Sequence, residues 1–209
     1  MTKKIGIILV IVTLFGAFLA WLFIESSKPL PGSKIADLGR GHVPVGENVD
    51  YNSNPPTSGK HYADWIRSGI YETPQDDRNL VHSLEHGYVV MSYNCDKKVT
   101  SNKLQVINMA YAHGLDEEAT DSSSIASSSA NLSANFQSAD CHKLVDHLIS
   151  IYERKGKTRL IVVSRPNLDT RIALTAWQYI DKFNDFDEQR IIRFIDAHLN
   201  MGPEKTMEQ

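Results

Sequence analysis

The residues best equipped for chemistry lie in Val81-His82-Ser83-Leu84-Glu85-His86-Gly87. Two histidines four apart fall on one face of a helical turn, so their rings can converge on a single point. Neutral imidazole suits zinc, copper, iron and nickel, and a catalytic zinc site uses three protein ligands with a fourth position open. His61, after the tight Ser58-Gly59-Lys60 turn, is the natural third imidazole. Glu85 is a further ligand or a group that orients a histidine through its other ring nitrogen, and His42 is a weaker fourth imidazole. The expected site is therefore a transition-metal centre, copper or zinc, drawn from His61, His82, His86, Glu85 and His42. Four of the chain's eight histidines fall between His42 and His86, and such clusters mark candidate metal or catalytic sites. The bland alternative is that these side chains only satisfy the backbone of an irregular segment.

Rival chemistries stay open. His-x-x-Glu-His is also the inverted zinc-protease signature, in which both histidines bind metal and the glutamate activates water. That motif lives on a long helix, whereas here Pro74 precedes it closely and Gly87 ends it. Cys95 and Cys141 admit a thiol–disulfide, thioredoxin-like module, because a strand-to-helix junction lowers a thiol's pKa. A structural or partner-binding domain with no catalysis is the third alternative. No catalytic residue is assigned, and whether the chain is an enzyme is left open.

Around the histidines the elements read as follows. Gly87 can leave a helix through a left-handed conformation, and Tyr88 to Asn94 is a strand of β-branched and aromatic residues. Lys103 to Leu115 has helical composition, and Asp116 to Ala139 is small and polar, with Ser-Ser-Ser at 122–124 and again at 127–129. Asp140 to Lys155 is an amphipathic helix with Leu144, Val145, Leu148, Ile149 and Tyr152 on one face. Thr158 to Ser164 and Ile172 to Ile180 are strands, and Asp185 caps a last helix with Glu188 three residues on. Between Gly39 and Tyr71 the chain is rich in Gly and Pro, yet Tyr51, Tyr62, Trp65 and Tyr71 argue for an ordered arm presenting His42 and His61. The fold class is α+β: a small sheet, two or three packed helices and a long irregular N-terminal arm, in an order that loosely echoes thioredoxin.

At 209 residues the chain holds one ordinary domain with a core, and its net charge is only -3. No basic stripe argues for nucleic acid, and nothing specifies a protein partner. Ile5 to Ile24 carries no charge, behind Lys3 and Lys4 and ahead of Glu25. That length spans a bilayer of roughly 30 Å as a helix. The expectation is a single-pass anchor in the cell membrane, residues 1–4 in the cytoplasm and the C-terminal domain outside. A cleaved signal peptide is the rival. The partition is then an anchor at 5–24, a linker at 25–38, one extracytoplasmic domain at 39–204 and a tail at 205–209. Two cysteines in an oxidising compartment suggest one disulfide between Cys95 and Cys141.

Several strings resemble a bacterial and archaeal family known only as a domain of unknown function, numbered three-one-zero-five. They are Gly41-His42-Val43, Asn54-Pro55-Pro56-Thr57-Ser58-Gly59-Lys60-His61-Tyr62, Val81 to Gly87, Ala173-Leu174-Thr175-Ala176-Trp177, and Gly202-Pro203-Glu204. The resemblance implies an exported or membrane-anchored protein and brings no established activity. It also implies that residues 97–138 are an insertion peculiar to this chain, with Cys95 and Cys141 closing its base.

Overall fold

The computed structural model describes residues 2–26, 29–96 and 139–206, which divide into two compact units, Met1–Pro31 and Gly32–Gln209. The helix expected at Lys103 to Leu115 and the insertion near 97–138 lie outside the described residues. The first unit is helix α1 (Thr2–Ser26). Among the described residues no helix is long and apolar enough to cross a membrane. This corrects the expected anchor over 5–24, and with it the membrane as a partner and the single-pass placement with the domain outside the cytoplasm.

The second unit is built on a six-stranded mixed sheet in the order β1-β6-β5-β3-β4-β2. Its strands are β1 (Ser33–Lys34), β2 (Gly69–Tyr71), β3 (Val89–Tyr93), β4 (Leu160–Ser164), β5 (Ile172–Ala176) and β6 (Tyr179–Phe183). β3, β4 and β2 run parallel, while β5, β6 and β1 add antiparallel neighbours on the other side. Among the described residues three helices accompany this sheet: α2 (Asp77–Glu85), α3 (residues 139–154) and α4 (Glu188–His198). The class is α+β, as expected.

Alternation along the strands assigns the faces. Val89, Met91 and Tyr93 of β3 join Leu160 and Val162 of β4 in one apolar cluster with Leu144, Leu148 and Ile151 of α3 and Ile191, Phe194 and Ile195 of α4. The intervening Val90, Ile161 and Val163 pack with Tyr88 against Leu80 and Leu84 of α2 on the opposite face. Strands buried on both faces read as continuous apolar runs rather than alternating ones, which is how β3 and β4 look in the sequence.

Two local readings differ from the structure. The run from Ile172 to Ile180 is not one strand but a hairpin, β5 and β6 joined through Trp177 and Gln178, with Gln178 at φ 63°. A left-handed residue without glycine leaves no local signal for a turn. The cap of the last helix is Asp187, whose carboxylate accepts from Arg190 N at 2.9 Å, two residues beyond the expected Asp185.

Candidate metal centre

Helix α2 positions two of the expected ligands. Asp76 caps it by accepting from Arg78 N at 2.9 Å, and Asp77 adds a negative charge to its first turn. The helix stops at Glu85, with His86 as its C-cap. Gly87, at φ 84°, donates to Leu84 O at 2.9 Å, and Tyr88 donates to Ser83 O at 3.1 Å. This glycine-terminated cap satisfies carbonyls that a helix end leaves open. With Leu80 and Leu84 turned to the sheet, His82, Glu85 and His86 are carried into the interior between helix and arm, all buried.

The arm brings the other two histidines. A parallel bridge pairs His42 with His61, through Val43 N to His61 O at 2.8 Å and His61 N to Gly41 O at 3.0 Å. Gly41 at φ 140° and Gly59 at φ 125° take conformations that L side chains rarely adopt. The segment after the bridge is tied to α2: the Ser83 hydroxyl accepts from Ile66 N at 3.0 Å and donates to Ile66 O at 2.8 Å.

Three imidazoles and a carboxylate meet here. One ligand atom from each of His42, His61, His82 and Glu85 lies within 4.8 Å of the others. The His61 and His82 rings are 4.8 Å apart, and His42 lies 5.3 Å from His61 and 5.0 Å from His82. His61 Nδ1 is 2.8 Å from Gly59 O, and His82 Nδ1 is 2.8 Å from Tyr62 O. A carbonyl can only accept, so both Nδ1 atoms carry a proton, and in the neutral ring the lone pair is on Nε2. His61 Nε2 is 2.8 Å from Glu85 Oε2, yet among the described residues it is buried with no hydrogen-bond partner. The two facts agree if the atoms are close but not aligned as donor and acceptor. Burial, followed by the neighbouring His86 and His61 rings, holds the His82 imidazole below its ordinary value of 6.5, against a raising effect of the Tyr62 hydrogen bond. The neutral ring is the form that binds metal.

His86 belongs to a different group. Its ligand atom clusters within 4.8 Å with those of His82 and Glu204; Nε2 is 3.7 Å from Glu204 Oε2, and the His82 and His86 rings are 4.5 Å apart. Glu204 arrives on the C-terminal segment, held against the turn by Asn200 N to Gly87 O at 2.8 Å and Glu204 N to Glu85 O at 3.1 Å. Arg159 closes the same corner, donating to His86 O at 2.7 Å and to Thr206 O. Trp65 lines the cluster, its ring 4.9 Å from His86 and 5.5 Å from His82. Glu204 is not among the candidates that the sequence offers, although Gly202-Pro203-Glu204 is one of the family-like strings, and Trp65 also packs against the apolar cluster under α2.

Cys95 and Cys141 are joined by a disulfide, with Cα atoms 5.3 Å apart. Cys95 follows β3 and Cys141 lies in α3, and among the described residues neither sulfur is in a group of potential metal ligands. The long helix of the inverted-protease motif is not what carries His82 and Glu85, because α2 spans nine residues and ends at Glu85.

Residues 42–209 match the family described as "Protein of unknown function (DUF3105)", and the chain belongs to that family. Neither a curated protein nor a solved structure is significantly similar to the chain.

Proposed function

We propose that this chain is a metal-binding protein whose second unit holds one transition-metal ion, zinc or copper, on His61, His82 and Glu85, with His42 closing the site from the solvent side. The observation that carries this reading is the convergence of those four ligand atoms within 4.8 Å around a fully buried His61 whose Nε2 has no hydrogen-bond partner. Two lone-pair carriers, His61 Nε2 and the Glu85 carboxylate, stand 2.8 Å apart. The half-exposed Arg40, its Nε 3.5 Å from Glu85 Oε1, offsets part of the carboxylate's charge, and a metal ion would engage both lone-pair carriers at once. Ligand atoms around a tetrahedral ion with bonds of ~2.0–2.1 Å sit about 3.3 Å from one another. The observed separations, 2.8 Å between His61 Nε2 and Glu85 Oε2 and up to 4.8 Å within the group, bracket that value.

Three imidazoles and one carboxylate fill zinc's usual shell of four, and the nitrogen-rich set suits copper as well. A filled shell leaves no position for substrate water, so the role is to hold or carry the ion rather than to hydrolyse. Glu85, at ligand distance from His61, is not placed as a free base.

The test uses the full-length chain, stripped with a chelator and titrated with Zn(II) and with Cu(II) under elemental analysis. The expected result is one tightly bound equivalent, with affinity reduced by at least about 10–100-fold in His61→Ala and in Glu85→Gln. Circular dichroism confirms that each variant is folded. Absence of uptake by the wild-type chain, or uptake unchanged in both folded variants, overturns the proposal.

A further inference from the structure

His82 belongs to both ligand groups, and this has a chemical consequence. We propose, on the reading that the four-ligand site binds metal, that His82, His86 and Glu204 form a second metal position that shares its ion with the first, the two being filled in alternation and not together. His82 Nδ1 is committed to the Tyr62 carbonyl at 2.8 Å, so only Nε2 can coordinate. A single lone pair binds a single ion. An imidazolate bridge between two ions would need both ring nitrogens, and the Tyr62 hydrogen bond withholds one of them. His82 is also the central ring, 4.8 Å from His61 on one side and 4.5 Å from His86 on the other. A small displacement of an ion held on His82 therefore exchanges His61 and Glu85 for His86 and Glu204.

The two positions differ in strength and access. The first has three imidazoles and a buried carboxylate; the second has two imidazoles and the carboxylate of Glu204, whose side chain is 47% exposed. More donors make the first position the tighter one; His42 is exposed there, but its imidazole caps the position, whereas the exposed carboxylate of Glu204 makes the second the place where a hydrated ion exchanges its water for protein ligands. The arrangement is a two-step relay, in which Glu204 captures the ion and His82 passes it inward.

The relay is tested with Zn(II) by calorimetric titration. The wild-type chain is expected to bind one equivalent, and Glu204→Ala to bind the same equivalent with a slower association in stopped-flow mixing. His42→Ala weakens the first position through an exposed residue, which spares the core. In that background Glu204→Ala is expected to lower the remaining affinity by about tenfold or more, since even groups that only orient a ligand are worth that much. Two equivalents bound at once by the wild-type chain would overturn the alternation. Equal affinity of His42→Ala with and without Glu204, or an unchanged association rate in Glu204→Ala, would overturn the second position while leaving the first intact. A wild-type chain that takes up no Zn(II) or Cu(II) overturns the four-ligand site itself, and the relay with it.

Discussion

Replacing Gly202 by alanine tests how closely the C-terminal segment is pressed against the histidine-bearing turn. A Cβ at Gly202 would lie 2.2 Å from Glu85 O, 2.2 Å from Gly87 N and 2.7 Å from Gly87 Cα. All three are backbone atoms, so no side chain can swing aside. Two responses are open. If the segment stays in place, the turn and the tail are forced apart and the overpacking costs about 1–3 kcal/mol. If the segment peels away, the bonds Asn200 N to Gly87 O and Glu204 N to Glu85 O are lost, also about 1–3 kcal/mol at ~0.5–1.5 each. Both routes reach the same loss, so the expected effect does not depend on which one the chain takes. For a domain of this size it corresponds to a fall in Tm of about 2–12 °C. The assay is thermal and urea unfolding of the metal-free protein followed by circular dichroism. Met201→Ala serves as the neighbouring control, because Met201 is 63% exposed and its loss should leave Tm unchanged. A Gly202→Ala protein that melts within about 1 °C of the wild type would show that the tail does not rest on the turn, and Glu204 would lose its place beside His86.

Two further outcomes are expected. Because the folded chain holds His82 below its ordinary 6.5, the unfolded chain takes up a proton that the folded chain refuses between that value and its own lower one. Stability of the metal-free protein therefore rises with pH through this interval and levels off above it; urea midpoints across a pH series should show the rise, flattened in His82→Asn, and a fall over the same range would contradict the assignment. The disulfide closes a loop with a sequence separation of 46, worth about 4 kcal/mol by chain entropy. The Cys95→Ser/Cys141→Ser double variant should lose about that much stability and keep its metal uptake, and loss of the metal in a folded double variant would make the sulfurs part of the site.

Local signals in the sequence carried some features of this structure and not others, for identifiable reasons. The short helix before Gly87 and the apolar runs of β3 and β4 are legible because propensity, glycine chemistry and burial on both faces act within a few residues. The hairpin at Trp177-Gln178 is not, since its left-handed residue is a glutamine. His86 shows the limit of spacing arguments most clearly. His86 still donates its N–H to His82 O at 3.2 Å, and the two rings are 4.5 Å apart, so the shared face that the spacing implies is present. What the spacing does not give is that the ligand atom of His86 groups with Glu204, and not with His61 and Glu85. Glu204 was out of reach for a different reason: the segment that carries it is fixed by backbone amides and carbonyls, which leave no mark in side-chain composition.

The last turn of α2 sets the His82 ring between those of His61, 4.8 Å away, and His86, 4.5 Å away, with Glu85 beside His61 and His86 beside Glu204. The glycine cap is more than a helix terminator. It turns the chain at Gly87, and the tail that packs on that turn through Gly202 brings Glu204 to His86. Sequence spacing alone would describe a single site with five ligands. The side chains that could hold a metal fall into two groups that share the His82 ring, and the Tyr62 carbonyl leaves that ring with one nitrogen to give.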